Sequence, residues 1–221
     1  MIYKVRYYGD PVLRRRAKPV TRFDDKLKEL TRDMLGTMYD ANGVGLAAPQ
    51  IGLSTRVFVA LELAQNHDEA EGEVAEGSAE AQAKALSGRE KRERWGVVAE
   101  HVMVNPELVA RSGTQYGTDG CLSLPGLVVE AMKRDEHVRV RFQDVTGAAH
   151  ERDAEGHFAH VIQHELDHLD GVLFFDRLPE DDRREFLTAH RTELAEFQRE
   201  AKGYLRELKN AKQDATKDRV T

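Results

Sequence analysis

The stretch that most constrains this chain is Gln163-His164-Glu165-Leu166-Asp167-His168. Two histidines four positions apart project from one face of a helix about one turn apart, so both imidazoles can reach a single metal ion only if the segment is helical. A helix beginning near Gly156 and closing at Asp170-Gly171, where glycine can take the left-handed cap, provides that geometry. Neutral imidazole is the commonest metal ligand, and Glu165 between the two histidines is a carboxylate placed to take a proton from a metal-activated water. The stretch therefore predicts a metal site with its own base, and it requires a further ligand from elsewhere.

Several residues compete for that place. One zinc-protease pattern continues with a glycine and then a histidine; Gly171 fills the first place, but Phe174 stands in the second, so the pattern fails. Another takes a glutamate from a later helix, for which Glu185 and Glu193 are candidates among many similar charges. Cys121 is the other candidate, in the glycine-flanked run Asp119-Gly120-Cys121-Leu122-Ser123-Leu124-Pro125-Gly126. A lone cysteine is more often a small buried hydrophobe. Here, however, a thiolate and two imidazoles would leave the fourth tetrahedral position open, as a hydrolytic metal requires. His157 and His160 lie near the same helix face, and are expected to line the pocket wall or meet solvent, because a fourth protein ligand would close that position.

Cys121 is the only cysteine, which excludes an intramolecular disulfide and fits a reducing compartment. The start, Met1-Ile2-Tyr3-Lys4-Val5-Arg6, places charges where a signal peptide needs an apolar run, and no stretch approaches the roughly 18 apolar residues of a membrane span. A cytoplasmic protein without membrane contact is expected. Hydrophobic residues are 40%, charged residues 33% and the net charge is −6, a balance that gives no case for DNA binding and confines any RNA contact to a local patch. A length of 221 residues suits one catalytic domain over 1–179 with appendages.

Along the chain, Arg14, Arg15, Arg16 and Lys18 mark a basic surface loop, and Leu27, Leu30, Met34 and Met38 recur at helical spacing between Asp24 and Ala41. Gly43 to Gly52 is a small-residue connection before a strand from Thr55 to Leu61. Residues 62–94 have acidic side chains among Ala, Gly and Ser with no apolar period, and predict a mobile surface insertion with a transient helix over 78–86 and an incidental His67. Strands are expected at His101–Leu108, Leu127–Met132, His137–Phe142 and Val172–Leu178, with turns at Gly113–Gly117 and Asp144–Gly147. From Glu180 to residue 221 the pattern is a helix with an apolar stripe, Leu194, Phe197, Ala201, Tyr204 and Leu208, followed by a basic tail that is the one patch able to touch RNA.

Gly43-Val44-Gly45-Leu46-Ala47-Ala48-Pro49-Gln50, Gly120-Cys121-Leu122-Ser123 and His164-Glu165-Leu166-Asp167-His168 together resemble the three motifs of the peptide deformylases, in the same order, and Asp10-Pro11-Val12-Leu13-Arg14 and Asn105-Pro106 add to the likeness. The resemblance implies an α+β fold with antiparallel sheets around a central motif helix, plus a C-terminal helix that in many bacterial members helps contact the ribosome. It implies that Cys121, His164 and His168 hold one divalent ion, iron(II) ahead of zinc, nickel or cobalt, and that Glu165 is the general acid and base. Gln50 and the Leu122 backbone N–H would bind the oxyanion, Gly45 would pair with the substrate backbone, and Val44 and Val161 would shape a methionine pocket for N-formylmethionyl peptides. Asp119 stands where the family has glutamate, shortening the arm by one methylene, and His157 takes an apolar wall position, which implies a weaker preference for methionine. Rival readings of the same helix are a zinc endopeptidase and a non-catalytic ribosome-associated relative.

Overall fold

The structure is a computed structural model that describes residues 1–64 and 88–217. The strand expected at Thr55–Leu61 explains most of the architecture. It forms β2 (Val57–Leu63), and its near-continuous apolar run reflects burial on both faces. Side chains alternate across a strand, so Val57, Val59 and Leu61 point to one layer while Phe58 and Ala60 point to the other. The first layer is α1 (Asp25–Asp40), which offers Leu27, Met34, Met38 and Tyr39. The second is the motif helix α3 (Gly156–Asp170), which offers Phe158, Ala159, Ile162, Leu166 and Leu169.

Around β2 the chain builds a five-stranded antiparallel sheet in the order β1 (Gly45–Ala47), β2, β3 (Val97–Ser112), β6 (His137–Gln143) and β7 (Ala149–Glu155). A separate ribbon pairs β4 (Gln115–Cys121) with β5 (Leu124–Arg134). Its apolar side joins Leu124, Leu127 and Met132 to Phe174, Phe175, Phe186 and Leu194. This is the α+β arrangement of antiparallel sheets around a central helix. The motif helix has the expected bounds, and Gly171 caps it at φ 76°. Its twelve consecutive buried residues, Phe158 to Leu169, show that it is enclosed on all sides.

Several expectations need correction. Val172–Leu178 is not a strand: Phe174–Arg177 is a 3₁₀ turn, closed by Asp176 Oδ2 accepting from the Leu173 N–H at 2.8 Å. A short apolar run fits either form, and the aspartate decides. Gly113 does turn, but Gln115 onward already belongs to β4, so Gly117, Gly120 and Cys121 are strand residues. β7 carries no apolar alternation because it is an edge strand with only Ala154 buried. The segment 62–94 is shorter than expected as an insertion: Glu62 and Leu63 finish β2, and Gly88–Arg94 forms a helix, α2, against α1. The acidic residues between them, His67 and the helix expected over 78–86 lie outside the described residues.

The region after Pro179 forms two helices, α4 (Glu180–Ala189) and α5 (Arg191–Lys217), separated at His190. The apolar stripe of α5 packs on the body. Leu194 and Ala201 are buried, Phe197 meets Tyr7 at 5.8 Å between ring centroids, and Lys4 and Arg6 lie 4.4 and 4.5 Å from the Tyr204 ring. Among the described residues no helix is long and apolar enough to cross a membrane.

Candidate metal centre

α3 carries His164, Glu165 and His168 in its buried stretch, and β4 ends at Cys121 above them. Cys121 Sγ lies 3.2 Å from His168 Nε2, and one ligand atom from each of Cys121, His164 and His168 falls within 4.8 Å of the other two. Three such atoms at this separation can share one ion. Glu185 and Glu193, the rival third ligands, are exposed on α4 and α5 and stand outside this group. Phe174, in the place where a protease pattern wants histidine, stacks on the His164 ring instead, with centroids 6.3 Å apart.

His164 is held from behind. Its Nδ1 is 2.6 Å from Asp119 Oδ1, which leaves Nε2 as the ligand atom. Asp119 Oδ2 accepts from Arg134 at 2.7 and 3.2 Å, Arg134 donates to Asp167 Oδ2 at 2.6 Å, and Arg177 reaches Asp167 Oδ1 at 3.0 Å. Asp119 is therefore in contact with a candidate ligand, and its short arm suffices to reach it. His160 lines the cleft and also lies 3.1 Å from Asp119 Oδ2, out of line for a good hydrogen bond. The roles of Arg134 and Asp167 escape a reading of the sequence, because they stand 15 and 48 residues from Asp119 with no short spacing to connect them.

The electrostatics fit a cation. Burial works against a charged His164, but Asp119 and Cys121 outweigh it and hold the imidazole well above its usual range. Burial, with His164 nearby, holds His168 well below its usual range, in the neutral form a metal ligand needs. For Asp119, burial also opposes charge, yet His164, His160 and Arg134 keep its carboxyl far below the normal range. Burial pushes Glu165 up to about 7, and its Oε2 is buried without a hydrogen-bond partner among the described residues.

The remaining candidates converge on the same cleft, which Val44, Gly45, Gln50, Leu122, His157 and Val161 all line. Gln50, 1% exposed, is fixed by its Oε1 accepting from the Ala47 N–H at 2.7 Å, and this turns Nε2 toward Cys121 Sγ, 3.7 Å away. Gly45 passes so close to Glu165 that a Cβ there would lie 2.2 Å from Oε1. The N-terminal segment joins two of the motifs, since the Arg6 N–H donates to the Gln50 carbonyl at 2.7 Å and the Tyr8 N–H to the Ser123 carbonyl at 2.9 Å.

A family model described as polypeptide deformylase matches residues 2–184. The chain belongs to that family. A peptide deformylase from Thermus thermophilus is 50% identical over 208 residues, covering 94% of this chain and 98% of the relative. A crystal structure of a peptide deformylase from Thermus thermophilus matches with a TM-score of 0.75 at 46% identity, covering 91% of this chain and 100% of that one. A peptide deformylase structure from Legionella pneumophila matches with a TM-score of 0.67 at 37% identity, covering 90% and 96%. The residues matched by the family model include everything from β1 to the motif helix.

If Asp119 orients His164, Asp119→Asn should weaken metal binding about 10- to 100-fold with the fold intact. Competition with a chromophoric chelator measures this; an unchanged affinity would remove Asp119 from that role.

Proposed function

We infer that the chain is a metal-dependent hydrolase that removes the N-formyl group from the N-terminal formylmethionine of nascent polypeptides, releasing formate. The observation that carries this reading is the Cys121, His164 and His168 group beside a buried glutamate, in a chain whose relatives are peptide deformylases. Those three residues would hold one divalent ion. When bound, such an ion supplies Lewis-acid activation of water and of the formyl carbonyl.

The protein's own groups perform the rest. Glu165 takes a proton from the attacking water and passes it to the leaving amine, a role generally worth about 10²- to 10⁴-fold in rate. Gln50 Nε2 and the Leu122 backbone N–H donate to the developing oxyanion, and the loss of one such donor commonly costs ~10² to 10³ in turnover. β1 lies at the edge of the five-stranded sheet and lines the cleft, so an extended peptide can add to it beside Gly45. Val44 and Val161 flank the methionine side chain. His157 on the same wall makes it more polar and lowers the preference for methionine.

Iron(II) is the ion proposed; one thiolate and two imidazoles also suit zinc, nickel and cobalt. The chain works in the cytoplasm, and α5, through the basic residues of its C-terminal half with Arg219, engages the ribosome. The endopeptidase and non-catalytic readings are not favoured, since the motif order, the buried Gln50 and the named relatives all support a deformylase.

Formate release from formyl-Met-Ala-Ser is the direct test, and casein, incubated in parallel, should stay uncut. Glu165→Ala should keep its metal and lose about 10²- to 10⁴-fold in turnover, and an empty Glu165→Ala protein would contradict that role; Cys121→Ala should lose tight metal binding, and full metal and activity in that variant would remove Cys121 from the ligands. Activity should decay faster in air than under nitrogen and be protected by exchange to nickel, and equal decay would exclude iron(II). Removal of residues 210–221 should reduce co-sedimentation with ribosomes, and unchanged binding would exclude the tail.

A further inference from the structure

The helix α2 at the end of the 62–94 segment grips the end of α1 just where the chain turns into the cleft. Lys91 is 3% exposed, and its ammonium donates to the Tyr39 carbonyl at 2.5 Å and to Asn42 Oδ1 at 2.7 Å. α1 has no basic residue in its own last turn, so Lys91 supplies the cation that a helix C-terminus favours. Two further contacts fasten the same place. Trp95 stacks on Tyr39 with centroids 6.0 Å apart, and Glu100 joins Arg92 at 3.3 Å to the Tyr39 hydroxyl at 2.7 Å.

Beyond Asn42 the backbone has no slack. Asn42 takes the left-handed conformation, at φ 56°, and the Gly43 N–H closes on the Met38 carbonyl at 2.9 Å. A Cβ on Gly43 would meet Leu122 Cδ1 at 2.7 Å, and one on Gly45 would meet Glu165 Oε1 at 2.2 Å. The segment 43–45 is therefore threaded between Leu122 and Glu165. Its far edge is bonded to β2 through the Val44 carbonyl, which accepts from the Leu61 N–H at 2.8 Å. Its near end is fixed where Lys91 holds Asn42.

We propose that Lys91 is a positioning residue for the peptide substrate: by locking the end of α1 through Asn42, it holds the open edge of β1 in register for the backbone beyond the formylmethionine. This rests on the deformylase reading, with β1 as the edge that receives the peptide. It gives the base of the 62–94 segment a role in the reaction, although Lys91 touches neither substrate nor metal ligands. The loss should fall on binding of the peptide and not on the chemistry.

The test compares kcat and KM for formyl-Met-Ala-Ser and kcat/KM for formylmethionine amide, which has no following residues to pair with β1, in the wild type, Lys91→Met, Asn42→Gly and the double variant. Glycine at 42 keeps the left-handed backbone while removing the acceptor. Lys91→Met should raise KM for the tripeptide roughly tenfold, the size of one buried charge-assisted contact, with kcat, metal content and formylmethionine amide turnover held within about twofold. Asn42→Gly should raise the tripeptide KM similarly, and the double variant should add little to either, since coupled residues are not additive. An unchanged tripeptide KM in a folded Lys91→Met protein would overturn the proposal, as would equal losses on both substrates. If Lys91→Met does not fold, an unchanged KM in Asn42→Gly overturns it instead. A wild-type protein that releases no formate defeats the deformylase reading itself, which is a separate result.

Discussion

The carboxylate of Asp119 is the joint on which the site depends. It is 2% exposed, and it binds a histidine from the motif helix on one side and an arginine from β5 on the other. A buried carboxylate is tolerated only where its oxygens are matched by donors and positive charge. Meeting that requirement fastens the β4–β5 ribbon to α3 in one relative position. The ribbon brings the thiol and the helix brings the imidazoles, so the same contact that satisfies a buried charge also sets the distance between the candidate metal ligands. Asp167 and Arg177 extend it outward until the last charge meets solvent.

The motif helix was legible in the sequence because its constraints are local. Two histidines at helical spacing and a glycine stop belong to one short stretch, and α1 and β2 likewise declare themselves through the period of their own apolar residues. The grouping of Cys121 with His164 and His168 was legible by another route, from chemistry that called for a third ligand and from three motifs in a familiar order. The support around the ligands was not legible. Asp119, Arg134 and Asp167 come from two strands and a helix, and only the packed fold brings their charges together. The misread segments are those in which a side chain overrides the pattern: Asp176 converts an apolar run into a 3₁₀ turn, and Lys91 gives a charged stretch a buried anchor.

Glycine and glutamate divide the narrowest point between them. Gly45 needs its missing side chain because the Glu165 carboxylate fills that space, and Glu165 is 3% exposed with β1 lying against it. Burial that raises its proton affinity to about 7 thus comes from the same strand that presents an open edge to the cleft. The edge proposed for the peptide and the proposed proton carrier thus meet on one piece of backbone, whose near end is tied to Lys91 through Asn42.

The contacts of α5 with residues 4–9 have a consequence for how the molecule is made. Tyr7 meets Phe197, Gly9 abuts Gln198, and Lys4 and Arg6 flank Tyr204, so the N-terminal segment is covered by a helix about 190 residues further along the chain. That segment is also the tie between the Gln50 and Ser123 carbonyls. Contacts so distant in sequence form late, since the intervening chain must be ordered or closed as a loop before they return any stabilisation. The two sides of the cleft are built from nearer contacts than the strap across them, so the strap carries the larger loop-closure cost.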